Sequence, residues 1–192
     1  MSSGQHTQTA HAEGAQGVNR LGLVIFILSE AVLFANLIAA YLYLRFTSDA
    51  WAPAHLDLVF PSINTVILLA SGVPMHLAHK GIQRGDRNTL VRGLVLTIVL
   101  GAIFISGQGW EYLNAGFTPQ SGIFGSTFFT LTGFHGAHVI AGLCILAILG
   151  LSRLALRGRF TTENHFLVEA GALYWHFVDV VWVALFAVLY IL

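Results

Sequence analysis

Five long apolar stretches divide this chain, and short polar segments separate them. The stretches run roughly over Leu21–Leu44, Leu58–Ala78, Gly93–Leu113, Ser126–Leu151 and Phe166–Leu192. Each provides the roughly 20 residues that a helix needs to cross a bilayer core about 30 Å thick. Strands are not expected, because membrane strands must alternate apolar with polar residues and close into a barrel. The pattern therefore predicts an all-α integral membrane protein, a bundle of five transmembrane helices.

The composition agrees with a membrane protein. Of the 192 residues, 56% are apolar and only 9% are charged, whereas soluble domains have about 25% charged residues. So few charges exclude an ordinary cytosolic enzyme, a nucleic-acid-binding protein and a disordered regulator. Residues 1–19 are polar, small and without periodicity, and we predict that they form a disordered tail, with the transmembrane domain at 20–192.

Basic residues predict the orientation of the bundle. Arg45 is on one side with the acidic residues Asp49, Asp57 and Glu111. The other basic residues precede the first stretch or lie around the second and fourth connections: Arg20, Lys80, Arg84, Arg87, Arg92, Arg153, Arg157 and Arg159. Because cytoplasmic loops are enriched in Lys and Arg, the N-terminus is predicted to be cytoplasmic and the C-terminus outside.

A few ionisable side chains interrupt the apolar stretches, and they mark the candidate site. Such groups are costly in hydrocarbon, face the bundle interior and are functional by default. At a rise of about 1.5 Å per residue, Glu30, His138 and His176 lie near one level in mid-membrane. We predict a buried cluster in which Glu30 hydrogen-bonds a histidine if the first, fourth and fifth helices are adjacent. Its predicted members are Glu30, His135, His138, His176 and Asp179.

Three interpretations of this cluster are open. The groups satisfy one another and specify helix packing, or they relay protons, or they hold a metal. His135 and His138 are three residues apart on one helix face, but no cysteine or third clustered histidine completes a tetrahedral set. We therefore assign no metal ligand.

Further titratable groups lie towards the predicted cytoplasmic face. Imidazoles and carboxylates buffer there, so they are candidates for collecting protons, with ordinary solvated interface residues as the alternative. They are His79, Glu163, His165 and Glu169. The sequence has no phosphate-binding loop, no GxSxG elbow and no HExxH motif, so we assign no catalytic residue.

Four strings are longer and more specific than these patterns. They are FILSEAVLF from Phe26, PSINTVILLASG from Pro61, GSTFFTLTGFHGAHV from Gly125 and EAGALYWHFVDVVW from Glu169. In order and spacing, over about residues 20–192, they closely resemble the cytochrome c oxidase subunit III family, the third core subunit of haem–copper terminal oxidases. The chain resembles the short five-helix form that is found in many bacteria.

The resemblance implies a non-catalytic core subunit of a proton-pumping oxidase that reduces oxygen to water in aerobic respiration. It implies direct packing on subunit I, in a complex with subunit II, and support of proton uptake, oxygen access and stability. Haem and copper are then expected in those partner subunits and not in this chain, and bound phospholipid is expected, but no nucleic acid. The implied location is the bacterial inner membrane.

The resemblance also suggests which residues matter. The family's mid-membrane carboxylate, known for modification by a carbodiimide, maps to Glu30 through the LSE string. The family's histidine and aspartate in the WHFVD string map to His176 and Asp179.

Two kinds of alternative function remain at this point. Quinol oxidases and a small protein associated with nitric oxide reductase belong to the same superfamily, although the LSE and EAGA-YWHFVD strings favour the cytochrome c branch. From another class, the buried carboxylate is compatible with a stand-alone proton channel or a membrane scaffold. The sequence shows no inverted repeat and no pair of broken helices, which transporters commonly have.

Overall fold

The computed structural model describes residues 3–52, 56–151 and 166–192, with side chains described for 17–52, 56–150 and 166–192. The helices are α1 (Ser3–Thr47), α2 (Val59–Gln83), α3 (Arg87–Asn114), α4 (Ile123–Leu151) and α5 (Phe166–Phe186), and α5 continues as a π-helical turn over Ala187–Ile191. Five helices in the described ranges are long and apolar enough to cross a membrane, and these ranges contain no strand. The predicted five-span, all-α architecture is confirmed, while its orientation in the membrane stays a prediction.

The helices extend past the apolar stretches that predicted them. The first helix begins at Ser3, within the segment 1–19 that the sequence separates as a tail, and its membrane-spanning part is Gly17–Thr47. The division into tail and transmembrane domain stays a prediction. Helix α2 runs to Gln83, beyond the apolar stretch ending at Ala78. Hydropathy indicates which part of a helix is apolar, whereas backbone turns and capping residues determine where the helix ends.

The turn between α2 and α3 shows how such an end is made. Gly85 adopts φ +72°, a left-handed conformation that favours glycine and ends α2. Asp86 then caps α3, because its Oδ1 accepts the backbone N–H groups of Asn88 (3.0 Å) and Thr89 (3.1 Å). The Thr89 hydroxyl donates to Asp86 Oδ2, and these hydrogen bonds lower the pKa of the Asp86 carboxyl below its ordinary value.

Helix α5 lies at the centre of the bundle and pairs with α2 in antiparallel fashion. Two tryptophans with 0% exposure donate from α5 to hydroxyls of α2, Trp175 Nε1 to Ser71 Oγ and Trp182 Nε1 to Thr65 Oγ1, each at 2.9 Å. An indole buried in an apolar interior needs an acceptor for its N–H. These two hydrogen bonds therefore set the register between α2 and α5.

Helix α1 lies along the outside of α5 and is attached near both ends. Arg20 forms an ion pair with Glu169 at 3.2 Å, and Arg45 Nη2 donates to the carbonyl oxygen of Leu192. We call the end of the bundle that contains Arg20 the basic end. Helices α1, α4 and α5 contact one another in all three pairings, which is the adjacency that the predicted cluster requires.

Candidate functional site

The predicted hydrogen bond between Glu30 and a histidine is present. Glu30 Oε2 lies 2.9 Å from Nε2 of His138, which joins α1 to α4. The other ring nitrogen, Nδ1, lies 2.7 Å from the carbonyl oxygen of Phe134, one turn earlier in α4. Both side chains are largely buried, with exposures of 20% for Glu30 and 17% for His138.

These two contacts determine how many protons the pair holds. A carbonyl oxygen only accepts, so Nδ1 of His138 donates its proton to Phe134. The Nε2 of a neutral ring then has a lone pair, and its hydrogen bond to Glu30 needs one further proton. That proton resides on the carboxylic acid or on an imidazolium, and the pair is neutral in both cases. The hydrogen bond thus accommodates one proton between Glu30 Oε2 and His138 Nε2.

Aromatic groups hold the His138 ring in place. Phe34 presents its ring edge-on at a centroid distance of 4.9 Å and is itself 3% exposed. The Tyr174 hydroxyl of α5 donates to the backbone carbonyl of His138 at 3.2 Å. Contacts from α1 and α4 therefore orient the imidazole, while α5 contacts the backbone at the same residue.

His176 and Asp179 form a second pair, which faces α2. His176 Nδ1 lies 3.8 Å from Asp179 Oδ2, a loose contact between residues one helical turn apart. The side-chain exposures differ, 43% for His176 and 9% for Asp179. Gly72 of α2 leaves room for the pair, since a Cβ at that position would lie 3.1 Å from Asp179 Oδ2.

His135 is buried without a hydrogen-bond partner for either ring nitrogen within the described part of the chain. Its ring lies against Trp182 at a centroid distance of 4.8 Å and contacts the edges of Phe104 and Phe34. The predicted cluster is therefore divided into two pairs, Glu30–His138 and His176–Asp179, and a single histidine, His135, that lies among aromatic rings. Their roles in proton handling stay predictions.

A cavity of about 370 Å³ opens between α1, α2 and α5 at the basic end. His79 and Glu169, two of the predicted proton-collecting residues, line it, while Glu163 and His165 lie outside the described residues. His176 also lines the cavity, so the pair with Asp179 is in contact with it. Two further lining residues, Arg20 and His76, were not predicted from the sequence. The i, i+3 spacing of His76 and His79 on one helix could have indicated the second.

A polar cluster at the other end of the bundle was also not predicted from the sequence. Glu111 of α3 accepts from the Tyr190 hydroxyl at 2.7 Å and from Gln108 Nε2 at 3.0 Å. This contact joins the π-helical turn after α5 to α3. The described residues contain no group of three or more His, Cys, Asp or Glu side chains that could hold a metal ion.

Comparison with known proteins decides the family. The profile of the family described as cytochrome c oxidase subunit III matches residues 1–192. This chain belongs to the cytochrome c oxidase subunit III family. Cytochrome c oxidase subunit 3 of Thermostichus vulcanus is 38% identical over 194 residues, which cover 100% of this chain and 96% of that protein.

Other members of the subunit III family show similar identity. The Synechocystis sp. protein is 39% identical over 183 residues, covering 93% of this chain and 78% of its own length. The protein of the trout Oncorhynchus mykiss is 41% identical over 192 residues, covering 95% of this chain and 73% of its own length. With its five spans, this chain is a multi-pass membrane protein of the subunit III family.

Proposed function

We propose that this chain is the non-catalytic subunit III of a proton-pumping haem–copper oxidase, and that its Glu30–His138 pair holds an exchangeable proton. Family membership supports the first part. The second part rests on the hydrogen bond of 2.9 Å between two titratable side chains inside the bundle. Transfer of this proton between Glu30 and His138 leaves the pair neutral and so avoids the cost of burying a net charge in hydrocarbon.

The proposed complex contains the haem-bearing subunit I, in direct contact with this chain, and subunit II. Haem and copper belong to these partners, cytochrome c donates the electrons, and phospholipids surround this subunit in a bacterial inner membrane. The oxidase reduces oxygen to water, and this chain sustains proton uptake, oxygen access and the stability of subunit I.

The cavity at the basic end is the proposed entrance for protons. His79 and Glu169 lie at its wall, and Arg20 forms an exposed ion pair with Glu169 at 3.2 Å. Imidazole and carboxylate side chains are the groups that can take up and release protons there. His176 extends this set towards Asp179 on the same helix. The chain thereby presents buffering groups at the membrane surface and two titratable pairs within the bundle.

Glu30→Gln is the variant that tests the proton-holding role. The amide that replaces the carboxyl group can donate a hydrogen bond to the lone pair of His138 Nε2, so the contact survives but no longer exchanges a proton. We expect normal accumulation of the subunit and normal haem content in the purified complex. Proton uptake during turnover should fall several-fold, and the oxidase should inactivate earlier during sustained turnover.

Ser106→Ala is the matched control on α3. The Ser106 hydroxyl donates only to the carbonyl oxygen of Ala102, at 2.8 Å, so its loss leaves the pair intact. Infrared difference spectra of both variants would show whether a protonated carboxylic acid signal belongs to Glu30. If Glu30→Gln leaves turnover, proton uptake and lifetime unchanged, the pair only sets helix packing and the scaffold interpretation is correct.

A further inference from the structure

Helix α1 has a large face that the rest of the chain leaves uncovered. In its most apolar segment only 6% of the residues are buried, against 33–50% in the other four spans. The inner face contributes Glu30 and Phe34 to the site, and it is this face that contacts α4 and α5.

The opposite face has the spacing of a helix–helix contact. Six exposed residues recur at alternating intervals of four and three: Ile25, Ser29, Val32, Asn36, Ala39 and Tyr43. We call these six residues the outer seam. This spacing keeps the six residues on one side of the helix, where a neighbouring helix could pack against them. At 100° per residue Asn36 lies about 200° around the helix from Phe34, so the outer seam points away from the site.

Asn36 is the unusual member of the outer seam. It lies about 24 Å along the helix from Arg20, and therefore within a bilayer core about 30 Å thick. Other outward-facing hydroxyls donate hydrogen bonds to backbone carbonyl oxygens of their own helices. Ser29 donates to Phe26 O and Thr130 donates to Ser126 O, both at 2.7 Å. The Asn36 amide is exposed and makes no hydrogen bond within the described part of the chain.

Lipid tails cannot satisfy this amide, since hydrocarbon has neither donors nor acceptors. Leaving it without partners is unfavourable, because nothing in hydrocarbon replaces the hydrogen bonds that the amide makes in water. A second helix can supply the partners, because Asn side chains commonly hydrogen-bond across membrane helices whose interfaces contain small residues. Ser29 and Ala39 are the small residues that permit close approach in the outer seam.

We propose that the outer seam of α1 docks a transmembrane helix of another subunit of the oxidase, with Asn36 hydrogen-bonded across the contact. This inference rests on the proposed function. The partner helix is apolar and presents a hydrogen-bonding side chain at the depth of Asn36. A single asparagine in the contact between two helices fixes their register at a cost in stability.

Asn36→Leu tests the contact in the intact complex. The readout is the haem retained per tagged chain across a dilution series in mild detergent. From the range measured for hydrogen bonds between membrane helices, we expect the dissociation constant to rise about three- to twenty-fold. Asn36→Gln keeps an amide at the same position and should restore much of the affinity. Ser106→Ala, which removes an outward hydroxyl of α3, is the control and should behave as wild type.

A photoreactive phenylalanine analogue in place of Tyr43 identifies the occupant directly. A cross-link to another oxidase subunit supports the proposal, whereas cross-links only to lipid or to a second copy of this chain overturn it. Unchanged haem retention in Asn36→Leu also overturns it. If the wild-type chain retains no haem from membranes that contain oxidase, the proposed function itself is wrong. This outcome differs from a failure of the docking proposal, in which the wild type retains haem and Asn36→Leu retains as much. Membrane levels of each variant and helix content by circular dichroism show whether a loss reflects misfolding instead.

Discussion

The contact between α2 and α5 is held by indole hydrogen bonds, and Thr65→Val measures one of them. Trp182 Nε1 donates to Thr65 Oγ1 at 2.9 Å, and that hydroxyl in turn donates to the carbonyl oxygen of Pro61 at 2.7 Å. Valine has nearly the same shape and the same branching as threonine. The substitution therefore removes the hydroxyl with little change in packing.

The magnitude follows from the burial of both partners. Trp182 is 0% exposed and Thr65 is 8% exposed, so water does not replace the lost acceptor. A buried donor without an acceptor costs about 1–3 kcal/mol, while hydrogen bonds between membrane helices average about 0.6 and reach about 1.7 kcal/mol. We therefore expect Thr65→Val to lower the free energy of unfolding by about 1–2 kcal/mol.

Thr130→Val is the matched control. Thr130 also donates to the carbonyl four residues earlier, Ser126 O at 2.7 Å, but it is exposed on the outside of α4. The difference between the two variants isolates the hydrogen bond across the helices. The assay is titration of the purified protein in mild detergent with SDS, followed by tryptophan fluorescence. If the two variants differ by less than about 0.3 kcal/mol, which is within the usual error of additivity, the α2–α5 register rests on apolar packing alone.

Two further predictions follow from the same structure. Asp86→Asn keeps a comparable N-cap, because Asn and Asp rank together at that position, but it removes the carboxyl whose folded pKa lies below its ordinary value. In the wild type, the stabilisation from this carboxyl is present above pH about 4 and is lost as the pH falls through the folded pKa. SDS midpoints measured from pH 7 to pH 3 should therefore drop in the wild type and vary less in Asp86→Asn. His135→Phe replaces a ring whose nitrogens have no partner among the described residues. It should therefore leave the SDS midpoint unchanged or raise it. A decrease as large as that expected for loss of a buried hydrogen bond would contradict this expectation.

The Glu30–His138 pair illustrates how far a sequence predicts a site. Depth along each helix follows from the rise per residue, so the shared level of Glu30 and His138 could be predicted from residue counts. Their contact also requires α1 beside α4, which no local pattern encodes. The hydrogen bond from His138 Nδ1 to Phe134 O, which orients the ring, depends on a side-chain rotamer and is visible only in the folded chain.

His176, Asp179 and His135 show where prediction from depth stops. His176 and Asp179 are on the same helix as Trp182, but the pair faces Gly72 of α2, and only the packing of α2 on α5 reveals this. His135 is three residues from His138 on α4, yet it is enclosed by aromatic rings instead of polar groups. A rotation of some tens of degrees about a helix axis separates these outcomes, and helical periodicity is too coarse to define it.

The sequence by itself determined that the protein is an all-α membrane bundle of five spans, because each apolar stretch must satisfy its own backbone within hydrocarbon. Its longer strings also determined the family resemblance, which whole-chain comparison confirmed. Only the tertiary structure decided which ionisable groups meet, which face of α1 is uncovered, and that Asn36 lies on that face. The physical reason is that hydropathy is a property of each segment, whereas contacts depend on how the helices are rotated and placed against one another.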